Sequence, residues 1–155
     1  VFSGESLHTL DPKNRVFVPK RFQDLLERNE EGQRVVILTR GFERCLFLFS
    51  EQGFSKVLAR LQTQPFGGER LRKMQRLFFA NVHPTPLDGS GRLLLPERLR
   101  SYAGIEKEVV MVGVADRAEV WERGQWERFQ AENDDDFDDL DVVLVGDGGP
   151  NGRDT

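Results

Sequence analysis

The stretch Leu10-Asp11-Pro12-Lys13-Asn14-Arg15-Val16-Phe17-Val18-Pro19-Lys20-Arg21-Phe22 returns 77 residues later as Leu87-Asp88-Gly89-Ser90-Gly91-Arg92-Leu93-Leu94-Leu95-Pro96-Glu97-Arg98-Leu99. Leu, Asp, the first Arg, Pro and the second Arg keep their places, and an apolar triplet follows the first Arg in both. The likeness continues downstream. Residues 35–38 answer 109–112 at an offset of 74, and residues 47–54 answer 119–126 at an offset of 72, pairing Phe49 with Trp121 and Phe54 with Trp126. A steadily falling offset means small deletions in the loops of the second copy, so the chain is an internal duplication.

Each copy predicts the same series of elements. A polar turn comes first (11–14 or 88–91), in which Asn14 and Gly91 are the residues most tolerant of left-handed backbone. A short strand follows, 15–18 or 92–95. Pro19 or Pro96 ends it and suits the first turn of a helix, which in the first copy carries Phe22, Leu25 and Leu26 at i, i+3 and i+4. Two strands close each copy, 35–39 and 46–49 in the first, 109–114 and 118–121 in the second. Between the copies, Ser50 is a candidate N-cap for a helix with a Phe54, Val57, Leu58, Leu61 stripe. After a break at 65–68, residues 69–81 place Leu71, Met74 and Phe78 on one face and Arg70, Arg72, Lys73 and Arg76 around the rest.

A copy of roughly 45 residues is too small to bury a satisfactory core alone. Two copies interleaved into one small barrel solve that, and a pseudo-two-fold axis then brings both polar turns to a common face. The predicted class is α+β, mainly β. The organisation reads as repeat 1 (5–51), a helical insertion (52–79), repeat 2 (80–123), the end of a C-terminal helix (124–130) and an acidic, disordered tail (131–155). An apolar island at 142–145 in that tail reads either as an adventitious strand or as a docking peptide.

Composition narrows the function classes. A hydrophobic content of 38% supports a core, and no apolar run approaches the roughly 18–20 residues of a membrane span. Residues 1–10 lack the basic region and apolar stretch of a signal peptide, and Cys45 has no second cysteine to pair with, so a reducing cytosol is expected. Cys45 lies in a strand-like run and reads as a packed residue rather than a nucleophile. The net charge of −4 conceals a split: residues 131–155 hold nine acids and one base, while residues 1–130 hold 21 bases against 17 acids and stand at +4. A mildly basic body beside an acidic tail is a pattern of nucleic-acid binders.

The paired motifs carry a family resemblance. Leu10-Asp11-x-x-x-Arg15 with Pro19, and Leu87-Asp88-Gly-x-Gly-Arg92 with Pro96, are supported by residues 102–113 and by Glu119-Val120-Trp121 with Trp126. Over about residues 5–130 the chain resembles the MraZ family, built on the SpoVT-AbrB swapped-hairpin fold. The resemblance implies a cytoplasmic, nucleoid-associated transcription factor. It implies action at the promoter of the division and cell-wall gene cluster, through short repeated DNA boxes and ring-shaped homo-oligomers. Asn14 stands where the family usually has Gly, and Ser90 stands where the first copy has Lys13.

On this reading the partner is double-stranded DNA, with no membrane, small-molecule substrate, metal or cofactor. Cations at phosphates give affinity, and arginine suits bidentate contact with guanine. Arg15 is therefore expected at a base or a phosphate, and Lys13, Lys20 and Arg21 at phosphates. Asp11, being acidic, is expected to hold the turn by accepting backbone N–H bonds or pairing with Arg15. Asp88 and Arg92 take the matching roles, with Arg98 and Arg100 on the following helix, and the first turn is expected to contribute more. Enzyme readings fare worse: His8 and His83 lack further ligands at metal spacing, there is no phosphate loop or Ser/His/Asp signal, and an Asp11–Asp88 pair would not explain the arginine after each. The other class left open is an antitoxin-type AbrB interaction module whose acidic tail engages a basic partner.

Overall fold

The two copies trade their first strands. In the computed structural model, which describes residues 1–62 and 66–146, the elements run β1 (Glu5–Thr9), β2 (Arg15–Phe17), α1 (Lys20–Gln23), β3 (Val35–Arg40), β4 (Leu46–Phe49), α2 (Glu51–Leu61) and α3 (Glu69–Phe79). The second copy supplies β5 (His83–Pro86), β6 (Arg92–Leu94), α4 (Glu97–Ala103), β7 (Glu108–Gly113), β8 (Ala118–Glu122) and α5 (Arg123–Asn133). A 3-10 helix over Asp134–Leu140 and a short α6 (Asp141–Leu144) follow. The main sheet has the order β1-β7-β8-β4-β3-β5, and β2 pairs with β6 in a separate ribbon. The first strand of each copy therefore lies on the hairpin of the other: β1 on β7, β5 on β3, all antiparallel. The expected α+β, internally duplicated architecture is what forms.

The pseudo-two-fold axis is visible in the registers. Val16 faces Leu93 in the ribbon, flanked by Arg15 opposite Leu94 and Phe17 opposite Arg92. In the sheet, Phe47 faces Glu119, with Leu46 opposite Val120 and Leu48 opposite Ala118. Strand alternation sends Val16 and Leu93 inward and leaves Arg15, Phe17, Arg92 and Leu94 on the outer face. One core results. Val18, Phe22, Leu38, Leu48, Leu95, Leu99 and Met111 are buried in it together with Val16 and Leu93.

Several sequence expectations shift. β1 and β5 were not anticipated, for a physical reason. Both are edge strands, β1 is polar, and β5 is His-Pro-Thr-Pro; proline has no N–H for a ladder and is tolerated only at an edge. α1 is a single turn that gives way to three-residue turns, with Leu25 and Leu26 donating to the Phe22 and Gln23 carbonyls. Phe22 and Leu26 are buried, but Leu25 is exposed. The insertion is helical, with the Ser50 hydroxyl accepting from the Gly53 N–H as N-cap. Gly113 is required sterically: a Cβ there would lie 2.1 Å from the Ser3 nitrogen. Cys45 is buried, and burial, then the Glu119 and Glu43 carboxylates, push its thiol pKa well up, so it packs rather than reacts.

The chain divides into two compact units, the first being Val1–Arg123 and the second beginning at Gly124. In the second unit, the region expected to be disordered from residue 131 is helical to 144: α5 continues to Asn133 and the 3-10 helix opens on Asp134, Asp135 and Asp136. Carboxylates in a first turn complement the exposed N–H groups there, so their position matters as well as their number. Residues 142–144 of the apolar island are a helical turn, not a strand; residues 147–155 lie outside the described part. Among the described residues, no helix is long and apolar enough to cross a membrane.

The ribbon axis gives a stability prediction. Leu93→Ala, at a fully buried site facing Val16, should cost about 2–5 kcal/mol. Equilibrium urea unfolding should show a lower midpoint at unchanged slope; an unchanged midpoint would mean that the ribbon does not anchor the core.

Candidate nucleic-acid interface

Each repeated turn is organised by its aspartate. Asp11 Oδ1 accepts from the backbone N–H of Lys13 and of Arg15, both at 2.9 Å, while Oδ2 accepts from Arg15 Nε at 2.8 Å. The Asp11 N–H donates to the Arg15 carbonyl, and the Asn14 N–H to the Asp11 carbonyl. The second copy repeats this bond for bond: Asp88 Oδ1 accepts from Ser90 and Arg92 N–H at 2.9 Å, and Oδ2 from Arg92 Nε at 3.0 Å. The turn needs one left-handed residue, and Asn14 (φ 63°) and Gly91 (φ 79°) supply it. Asn14 thus does the work of a glycine.

The ribbon locks the two turns together. The Val18 N–H donates to the Gly91 carbonyl and the Leu95 N–H to the Asn14 carbonyl. The side chains cross over as well. Arg92 Nη1 lies 3.5 Å from Asp11 Oδ2, and Arg15 Nη1 lies 3.7 Å from Asp88 Oδ2. Asp11, Arg15, Asp88 and Arg92 therefore form one half-exposed quartet on the outer face of the ribbon, two charges of each sign, flanked by exposed Phe17 and Leu94. This cross-copy pairing was not foreseen; only the strand exchange, combined with the 77-residue repeat, reveals it. Both carboxylates are held below their ordinary pKa, first by the backbone N–H of Arg15 or Arg92 and further by the guanidinium groups.

Because the quartet is neutral in sum, net positive charge must come from the residues around it. Lys13 is exposed beside the first turn. Lys20 is exposed with its Nζ 3.3 Å from Asp24, and Arg21 donates from Nε to the Ser3 carbonyl while its guanidinium lies over Phe22. At matching places in the second copy, Arg98 is exposed, but Glu97 replaces Lys20 and Ser90 replaces Lys13. Arg100 is turned inward to the Leu95 carbonyl at 2.9 Å; its counterpart Gln23 makes the same bond to Val18 at 2.8 Å. These two are latches of the strand–helix corner, so Arg100 has a structural role that the sequence did not reveal. His8 is held below its ordinary pKa by burial and then by Arg21, and adds no charge at neutral pH. Among the described residues, no group of three or more His, Cys, Asp or Glu side chains could hold a metal ion.

Comparison with known proteins agrees with the duplication. The family described as “MraZ protein, putative antitoxin-like” matches twice, over residues 1–77 and 78–145. Among curated proteins, a Moorella thermoacetica protein named Transcriptional regulator MraZ is 41% identical over 145 residues, covering 94% of this chain and 97% of its own length. Proteins of the same name from Acetivibrio thermocellus (39% identical, 85% and 88% covered) and Salinispora arenicola (36%, 94% and 98%) are also similar.

The depressed carboxylates predict an acid-sensitive turn. A group whose folded pKa lies below its unfolded value adds stability above the unfolded value, about 3.9 for aspartate, and loses it as pH falls through the folded value. The melting temperature of the native protein should drop through that acid window. The Asp11→Asn/Asp88→Asn double variant should melt lower at neutral pH and show a shallower acid slope; identical slopes would contradict the assignment.

Proposed function

Since the chain belongs to the MraZ family, we propose that it is a sequence-specific DNA-binding transcription regulator whose two cross-braced turns form one contact surface. The observation that carries this is the shared outer face of the ribbon, where both turns meet with Arg15 and Arg92 held in fixed orientation by Asp11 and Asp88. A side chain locked by neighbours loses little freedom on contact, which favours specific recognition. In this reading the carboxylates aim the arginines, Lys13, Lys20, Arg21 and Arg98 approach phosphates, and the more basic first turn contributes more of the affinity.

The target proposed, on the resemblance to the family, is short repeated boxes at the promoter of the division and cell-wall gene cluster, read in the cytoplasm at the nucleoid. One chain presents a small contact surface. A ring of copies facing several boxes gains through effective concentration, which is why self-assembly belongs to the proposal. A second reading is favoured by the antitoxin-like description of the family and by the acidic C-terminal helices: an interaction module that engages a basic partner protein.

Titration of the protein against its own upstream DNA over a range of salt separates the two. Lys13→Ala should weaken binding and lower the log–log salt slope by about 1, as loss of one phosphate contact does, with no change in melting temperature. Arg15→Ala should weaken binding more and also lower the melting temperature, because it removes the nearer guanidinium of Asp11 and one of the two ion pairs at Asp88, leaving only Arg92 to both carboxylates. Unchanged affinity in both variants would remove the first turn from the interface and, with it, the cross-braced contact surface proposed here.

A further inference from the structure

A second surface lies away from the turns. α3 is amphipathic yet buries no residue. Its Met74 and Leu77 face a groove of about 730 Å³ whose floor is Phe47 and Phe49 and whose lip is Phe42, itself 72% exposed. Binding clefts measure roughly 300–1,000 Å³ and are lined mostly by apolar and aromatic side chains, as this one is. Three arginines, Arg40, Arg60 and Arg117, line the groove against one acid, Asp116. The Arg40 guanidinium, and that of Arg44 beside it, lie over the lining Tyr102 ring at 4.8 and 5.0 Å, and Arg40 Nε is buried with no hydrogen-bond partner. Neither Arg40 nor Arg44 makes an ion pair among the described residues.

The chain also carries the complementary chemistry. Residues 131–146 hold seven acids and no base. Within them Phe137, Leu140 and Leu144, at i, i+3 and i+7, are 72%, 43% and 72% exposed. This is an apolar stripe edged with carboxylates; the groove is an apolar trough edged with guanidinium groups. Apolar burial would supply affinity, and opposite charge would set orientation and rate.

We infer that the α3 groove binds the acidic, apolar-striped segment 134–145 of a second copy of this chain. The inference rests on the self-assembly proposed above and names its contact, but it does not depend on DNA. A tail held this way links each copy to a neighbour heterologously, the kind of contact from which rings are built when the rotation closes.

The test uses the full-length protein at natural sequence and as two variants, Phe137→Asp/Leu144→Asp and Met74→Asp/Leu77→Asp. All four positions are exposed, so far-UV circular dichroism and melting should be unchanged. Equal amounts of ¹⁴N- and ¹⁵N-labelled protein are mixed and treated with a zero-length carbodiimide, which joins lysine amines to carboxylates. The expected result is mixed-isotope peptides joining Lys56 or Lys73, on the helices that flank the groove, to the 134–141 acids. These are lost in both variants, and sedimentation shows the assembly falling toward the 17.8 kDa chain. Same-isotope cross-links alone would place a chain's own tail in the groove and overturn the inference. An assembly of unchanged mass in both variants would overturn it while self-association stands, and a monomeric natural protein would defeat both.

Discussion

Every later feature of this molecule depends on the exchange of first strands between the two copies. A hairpin of β3 and β4, or of β7 and β8, exposes an edge and one apolar face, and a copy of this size has too little of its own chain to cover them. By taking β1 from the other half, β7 gains an edge partner; by taking β5, β3 gains the same. The connections that carry these strands across must then pass each other, and they do so as the β2–β6 ribbon, with Val16 and Leu93 sealed beneath it.

That crossing places the candidate site. The turn before β2 and the turn before β6 are far apart in the chain but are tied by backbone hydrogen bonds from Val18 and Leu95 and by ion pairs that run from each turn to the other. The aspartates therefore act twice, closing their own turn and bracing the opposite arginine. The electrostatic outcome is an outer face whose central cations are already neutralised within the fold. On the proposed function, affinity falls to the surrounding lysines and arginines, which the two copies supply unequally: Lys13 and Lys20 in the first, Ser90 and Glu97 in the second.

Much of this was legible in the sequence because duplication is self-checking. A turn that needs Asp, a left-handed residue and Arg at fixed spacing looks the same in both copies, so the roles of Asp11, Asn14, Asp88 and Gly91 could be read from chemistry. What escaped was whatever depends on the partner copy. β1 and β5 carry no strong strand signal because edge strands need little apolar content, and Pro84 and Pro86 argue against a strand until their edge position is known. The bond of Arg100 to the Leu95 carbonyl, a role that Gln23 fills in the first copy without a charge, is equally invisible in the sequence. The acidic helices after residue 131 escaped because a count of charges ignores where the charges sit along a turn.

Ion pairs that run from each turn to the other make the two turns one unit across the copies. A double-mutant cycle on DNA affinity tests this most directly, with Asp11→Ala and Arg92→Ala made singly and together and titrated against the upstream DNA at fixed salt. Bracing across the ribbon predicts strong non-additivity, the double variant binding about as weakly as the worse single one. Simple additivity of the two losses would mean that each turn acts alone, and the cross-copy quartet would then be an incidental contact.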